Sequence, residues 1–504
     1  ESWDIPKSVG VYTSEEMKKM PRRGVVYTLA PSYVDGNTIW AGTDDGLIQV
    51  TRDGGKTWKN VTPPAISSWM KVSVMDASHF DANTAYAAVN AIRLDDMKAH
   101  IFRTQDGGAT WQEITKGLPD SPINAVKEDP IRKGLLYCGS ETGVSVSFDN
   151  GDSWQSLRLN MPATSVRDLV IKDDDLVIGT HGRSFWILDN VTPLRQLSGT
   201  TGTQLFKPAA PYRVRWSMYP DTPLPPEEPA GQNPPDGAMI DYYLEDNAST
   251  AVTLEILDAN NNLVRKYSSE DKPYAVGDMN IPLYWIRPQE ILSAAKGPHR
   301  FLWDLRYAPL DVPPSYPISA IYQQTAPEPT SPFVMPGNYI VKLTVGGKSF
   351  TQPLTVKMDP RVKLTTSELQ TQFDLSLSTY SNRKTCLTTA AQVHSYREQI
   401  KSLKAQARGT IPAVLAKADD QLAQFESNQR IDNAPGFARL ADTFGGLFSI
   451  VQEADMPVTS QAKAGIKQAT DQLSSIQVLW NNWMTAELPR LNTQLRKSGL
   501  SPLR

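Results

Sequence analysis

Apolar and polar positions divide the chain into regions of different period. From about residue 24 to 197 the apolar residues fall in short strand-like runs, some alternating with polar positions: Val25–Ala30, Leu47–Val50, Val72–Ala77, Ile101–Arg103, Ile123–Lys127, Val144–Val146 and Val166–Ile171. Period two predicts strands with one face buried. After Asp359-Pro360 the period lengthens. Leu415, Leu422 and Phe425, then Leu440, Phe444, Leu447 and Val451, fall at helical spacing. Helices are predicted to about Ala407 and over 411–427, 436–454 and 459–487, with Pro489 ending or kinking the last. Thr365 and Glu368 form a capping box ahead of the first.

The first region repeats itself. Thr51-Arg-Asp53-Gly54-Gly55-Lys-Thr57-Trp58 recurs as Thr104-Gln-Asp106-Gly107-Gly108-Ala-Thr110-Trp111 and as Ser147-Phe-Asp149-Asn150-Gly151-Asp-Ser153-Trp154. Each copy joins two strand-like runs, so it is predicted to be a hairpin turn. Asp53, Asp106 and Asp149 are expected to accept main-chain N–H bonds, and Gly55, Gly108 and Gly151 to supply positive φ. Trp58, Trp111 and Trp154 are expected to bury large area behind the turn. Upstream, Ile39-Trp40-Ala41-Gly42-Thr43 resembles Leu136-Tyr137-Cys138-Gly139-Ser140 and Leu176-Val177-Ile178-Gly179-Thr180. The strand order is found four times, within 24–62, 70–116, 123–159 and 165–197, the last copy without the aspartate motif. Four-stranded units at a spacing of roughly 40–50 residues predict propeller blades.

The turn is identified as the Asp-box (BNR) repeat of sialidases, xyloglucanase-type glycosidases and sortilin-type receptors. Trp40 to Trp58 and Asp173 to Asp189 resemble large bacterial secreted proteins described as sortilin-like or "BNR-repeat glycosyl hydrolase". The likeness extends through Asn233-Pro-Pro-Asp-Gly-Ala-Met-Ile-Asp-Tyr-Tyr243. The resemblance implies a secreted, periplasmic or cell-surface protein. It also implies more blades than four. The four copies either close alone or are the terminal blades of a larger ring, whose other blades come from an upstream segment or a partner chain.

Between these regions lies a proline-rich stretch, with Pro220, Pro223, Pro225, Pro226, Pro229, Pro234 and Pro235. Beyond it Ala251–Leu257 and Leu263–Tyr267 flank an Asp258–Asn262 turn, His299–Leu305 reads as a strand, and Pro336–Thr344 and Lys348–Val356 flank Gly346-Gly347. Short strands with such turns predict an immunoglobulin- or fibronectin-like β-sandwich. The expected fold is therefore mainly β with an α C-terminal region: propeller blades over 1–197, a sandwich over 198–358 and an antiparallel helical bundle over 359–504.

Composition narrows the chemistry. Of 504 residues, 51 are Lys or Arg and 54 Asp or Glu, a net charge of −3, with no polybasic run. That argues against a nucleic-acid partner. No run of 18 apolar residues predicts a membrane span. Five histidines, none in HxH or HExxH spacing, and two cysteines predict no metal site, no disulfide frame and no cofactor. Cys138 and Cys386 are expected to be free thiols.

In a four-stranded meander the turn between strands two and three lies opposite the aspartate turn, beside the links between blades. That face supplies the carboxyl candidates Asp44, Asp45, Asp95, Asp96 and Glu141, and the ligand-binding candidates Trp69, Arg93, His181 and Arg183. Asn90 to His100 expands this turn in the second copy, and insertions on one face of a repeat protein shape binding surfaces. Two functions stay open. One is a binding or scaffold module for a protein, peptide or polysaccharide. The other is a glycoside hydrolase, which needs two carboxyl groups about 5–9.5 Å apart across the sugar bond. Nothing in the spacing selects such a pair, and Arg93, Arg103 and Arg183 do not recur as an arginine clamp.

Overall fold

A computed structural model describes residues 24–197, 202–215, 231, 234–273, 276, 281–316, 325–426, 430–431 and 434–504. Pro220, Pro223, Pro225, Pro226 and Pro229 of the proline-rich stretch, and Asn233, lie outside the described residues. The chain forms two compact units, Glu1–Thr200 and Thr201–Arg504.

In the first unit the alternating runs form antiparallel meanders. The first sheet is β1 (Val26–Pro31), β2 (Ile39–Thr43), β3 (Ile48–Thr51) and β4 (Lys59–Asn60). The second is β5 (Lys71–Ala77), β6 (Ala85–Asn90), β7 (His100–Thr104) and β8 (Gln112–Glu113). The third is β9 (Ile123–Glu128), β10 (Leu136–Ser140), β11 (Val144–Ser147) and β12 (Gln155–Ser156). The fourth has three strands, β13 (Ser165–Lys172), β14 (Asp175–His181) and β15 (Phe185–Leu188). Where a fourth strand would begin, the chain enters a short helix, α1 (Thr192–Gln196). Arg195 ties that helix down, to Asp129 at 2.9 Å and Asp174 at 2.5 Å.

First strands pack on first strands: β1 on β5, β5 on β9, β9 on β13. This makes the series propeller-like, with the aspartate turns between third and fourth strands at the far edge of each sheet. Large side chains fill the gaps between consecutive sheets. Trp40 with Met75, Tyr86 with Val126, and Tyr137 with Leu169 share the three cores. Burying one such side chain stabilises by roughly 1.5–3 kcal/mol.

Each first strand carries one extra residue near its start. The register skips Tyr27, Ser73, Asn124 and Arg167, one per sheet at the same level. A β-bulge of this kind twists the strand and re-aims the extra side chain.

The second unit holds two sheets on one core. β16 (Gln204–Leu205), β18 (Ala238–Leu244) and β21 (Gly297–Trp303) form the smaller. The larger runs β17 (Tyr212–Arg213), β23 (Lys348–Met358), β22 (Gly337–Val345), β19 (Thr253–Asp258) and β20 (Leu263–Ser268). Ile240, Tyr242, Phe301 and Trp303 of one meet Leu254, Ile256, Val341 and Leu354 of the other. β18 escaped the sequence reading because Asp241 interrupts its apolar run; Arg300 on β21 neutralises that carboxylate at 2.8 Å.

The helical region is α2 (Thr366–Lys404), α3 (Ile411–Glu426), α4 (Phe437–Gln452), α5 (Ser460–Asn482) and α6 (Leu488–Lys497). The Thr365–Glu368 capping box is formed. Pro489 neither ends the helical run nor stands at a free end: a π-helical turn over Trp483–Glu487 joins α5 to α6 just before it, the kind of local widening found where a helix is interrupted. Tyr396, Phe425, Phe437, Trp480 and Trp483 pack in one core. Cys138 and Cys386 are free and buried, and burial pushes both thiols up to about 12. No described helix is long and apolar enough to cross a membrane.

Candidate functional site

The rim turns are built alike. In each, one carboxylate oxygen takes the hydroxyl two residues before it and the N–H four residues after, as Asp53 does with Thr51 at 2.8 Å and Thr57 at 2.9 Å. The other oxygen takes the hydroxyl of Thr57 at 2.7 Å, of Thr110 on Asp106 at 2.5 Å and of Ser153 on Asp149 at 2.5 Å. Gly55, Gly108 and Gly151 have φ of 94°, 88° and 91°. The main-chain bond from Thr57 leads in holding the Asp53 carboxyl down at about 2, and the Thr110 hydroxyl leads for Asp106, also at about 2. These carboxylates are fully engaged in turn geometry.

At the opposite end the candidate carboxylates have local partners of their own. Asp44 accepts the Val25 N–H at 2.8 Å. Asp45 is buried, accepts the Thr43 hydroxyl at 2.5 Å, and its carbonyl takes the Trp69 N–H at 2.7 Å. Trp69 is itself buried, at φ 70°. In the expanded turn Asp95 is exposed in a left-handed conformation. Asp96 accepts His100 Nε2 at 3.0 Å, while Nδ1 of that ring meets Glu113 at 2.6 Å. The Lys98 main-chain N–H leads in lowering the Asp96 pKa, with His100 adding to it. Arg93, His181 and Arg183 are exposed.

Glu141 is joined to the bulges. Asn124 donates to its Oε1 and to the Val166 carbonyl, both at 3.0 Å, and accepts from Asn90 at 2.7 Å. Arg167 pairs with the same Oε1 at 3.1 Å. Burial alone would raise the Glu141 carboxyl, but the Asn124 bond and the charges of Arg167 and Lys71 outweigh it and hold it low. Tyr27 lies under the Lys71 ammonium, 4.5 Å from its ring centre. The Ser73 hydroxyl is buried with no hydrogen-bond partner among the described residues. An unpaired buried hydroxyl calls for a partner such as a water or a ligand atom. Glu141 is thus brought together with Asn90, Asn124, Arg167 and Lys71, four residues absent from the sequence-derived site residues. For Asn124 and Arg167 the signal was the one-residue excess in their first strands, visible only once the strands are in register; Lys71 and Asn90 are a cross-strand pair one step before the bulge of the second sheet.

A cavity of about 40 Å³ lies at the edge of the fourth sheet, lined by Leu157, Met161, Leu176, Ile178, Trp186 and Leu188. Its walls are mostly apolar, with Arg158 and Asn160 the polar residues among them. Among the described residues no three His, Cys, Asp or Glu side chains group closely enough to hold a metal ion.

No protein-family model matches the chain, and no curated protein matches it. Among solved structures it is similar to the GH74 enzyme of Niastella koreensis, at 14% identity over 31% of this chain and 26% of that one, TM-score 0.27. It is similar to YCF48 bound to D1 peptide, at 16% identity over 49% of this chain and 69% of that one, TM-score 0.27. The GH74 xyloglucanase of Xanthomonas campestris gives 13% identity over 43% and 35% of the two chains, TM-score 0.27. The chain spans well under two thirds of either GH74 protein. The propeller-like reading rests on the chain's own sheets, not on likenesses this distant.

Proposed function

We propose that the first unit is a sortilin-like Asp-box propeller that binds rather than cleaves. Its working surface is the bulge level, where Tyr27 and Arg167 are exposed and Lys71 and Glu141 half-buried, over a buried layer of Ser73, Asn90 and Asn124. The observation that carries this reading is the recurrence of one bulge per first strand at one level, each delivering a different side chain. Bulges are over-represented where a side chain must be re-aimed toward a ligand. An exposed aromatic ring and guanidinium beside an ammonium and a carboxylate suit an extended polar chain, a peptide or a polysaccharide.

Hydrolysis is the second reading. A glycosidase general acid needs a carboxyl raised toward neutral pH. Glu141 is held low by Asn124 and Arg167, and Asp96 by Lys98 and His100, which favours binding. We further propose that the sheets of the second unit form an immunoglobulin- or fibronectin-like sandwich ending near 358, and that 359–504 is a helical bundle, both serving as docking modules on an exported protein. Further blades, from an upstream segment or a partner chain, complete the ring.

The test uses an immobilised decapeptide library and soluble xyloglucan as probes. Binding to either should fall about 10- to 100-fold in Arg167→Ala, the loss of one charged hydrogen-bonding group worth ~1.5–3 kcal/mol. Hydrolysis of β-glucan or sialoside reporters, lost in Asp95→Asn or Asp45→Asn, would overturn the order of the two readings.

A further inference from the structure

The expanded turn of the second sheet is fastened at both ends. At its start Asn90, buried at the end of β6, accepts the Ile92 main-chain N–H at 3.0 Å and donates to Asn124 at 2.7 Å. Asn124 donates to Glu141, and Glu141 pairs with Arg167. One polar chain therefore runs from the turn to the bulge level. At its far end the turn is held by His100, the first residue of β7.

The His100 ring is 14% exposed and lies between two carboxylates. Its Nε2 is 3.0 Å from Asp96 of the turn, and its Nδ1 is 2.6 Å from Glu113 of β8. A neutral imidazole carries one N–H and one bare nitrogen. It donates to one carboxylate and then turns a lone pair on the other. Only the imidazolium donates to both. The other charged or titratable groups on the elements around the ring are Arg93, Asp95 and Lys98 of the turn, and Lys116 and Asp120 on the link after β8. β6, which pairs with His100 at Val89, brings Tyr86, whose phenol burial pushes well above its ordinary value. β9 brings Lys127 and Glu128, which bond Asp76 and Tyr86. Histidine is the side chain whose ordinary titration falls between about pH 5 and 8.

We propose that His100 is a proton-dependent clasp on the binding face: as imidazolium it bridges Asp96 and Glu113 and pins the turn against β8, and as neutral imidazole it lets one of them go. This rests on the reading above that the bulge level binds a ligand, and it adds the regulation of that face. His100 acts there as a positioning residue. Two carboxylates stabilise the charged ring, so the pinned turn is favoured in acid and is lost as pH rises through the histidine range. The turn presents Arg93 and Asp95, both exposed, and is tied to the bulge level through Asn90. A turn already pinned loses less freedom on binding, so a polar ligand is held more tightly in acid than in weak alkali.

The test is the mobility of a nitroxide attached through Met97→Cys, an exposed position on the turn, in the full chain; Cys138 and Cys386 are buried away from the label. Between about pH 5.5 and about pH 8 the ratio of mobile to immobile label should rise about 10-fold, the effect of losing one charged hydrogen bond. His100→Gln should leave the label mobile at both pH values. Glu113→Gln should leave it immobile at both, because the new amide donates to the bare nitrogen of a neutral ring that still donates to Asp96. A label that ignores pH in the His100 chain, or responds equally in His100→Gln, overturns the proposal. Soluble xyloglucan, which does not titrate, then probes the face: its affinity should be about 10-fold higher in acid, and level with pH in Glu113→Gln. Affinity that ignores pH while the label responds overturns the regulation. A responding label on a chain that binds neither xyloglucan nor a decapeptide leaves the clasp standing and overturns the binding reading; a silent label with binding that Arg167→Ala abolishes does the reverse.

Discussion

The two ends of the same sheets follow different rules. At the rim, the three turns make the same four hydrogen bonds, three on the carboxylate of Asp53, Asp106 or Asp149 and one from the turn glycine to the first hydroxyl, with Thr or Ser supplying the hydroxyls. At the bulges, four equivalent positions carry Tyr27, Ser73, Asn124 and Arg167, with no residue type in common. The rim repeats because one turn geometry has one good solution. The bulge level varies because the four extra residues share no common partner: Tyr27 lies under Lys71, Asn124 and Arg167 bond Glu141, and Ser73 has no partner among the described residues.

The sharpest test of the difference is Trp154→Ala. This buried rim tryptophan should cost about 3–5 kcal/mol in urea unfolding, whereas Arg167→Ala at a bulge should cost no more than about 1 kcal/mol, its pair with Glu141 being partly exposed. Equal losses would mean that the bulge level is structural. Next comes one slot in two settings. Met75 and Leu29 both stand two residues past the bulge of their strand, 1% and 59% exposed; Met75→Ala should cost about 2–5 kcal/mol, and Leu29→Ala about 0.5 kcal/mol or less.

Acid should then separate the ends. The Asp53 and Asp106 carboxyls sit at about 2 in the folded chain against 3.8 in the unfolded one. A depressed folded pKa stabilises above pH 4, and that contribution is lost as pH falls from about 4 to 2. Amide exchange at the rim should accelerate over that window, and Asp106→Asn should flatten the dependence in the second turn. The smallest effect is spectroscopic. In Arg167→Ala the Glu141 carboxyl should titrate higher, read by ¹³C NMR, with little change in stability.

Much of the frame was legible along the chain. The aspartate turns, the strands feeding them, the capping box at Thr365 and the long helices are local, set by spacing and turn chemistry over a few residues. The buried tryptophan expected behind every turn was legible only in part. Trp154 is buried and Trp58 is exposed, because the burial comes from the sheet before and not from the turn itself. The fourth copy was read as a full unit and has three strands, since Arg195 draws the chain into a helix toward Asp129 and Asp174. Glu141 was picked from its turn, but its companions Asn90, Asn124 and Arg167 were not.

What the sequence determined alone was whatever repeats: the period of the strands, the turn that joins them, and the order of units along the chain. Only the tertiary structure decided which carboxylates are consumed by the backbone, which residues the bulges deliver beside Glu141, and which sheet face has no neighbour among the described residues. Those outcomes depend on register between strands and on packing between sheets. Both bring together residues tens of positions apart, and no local spacing records them.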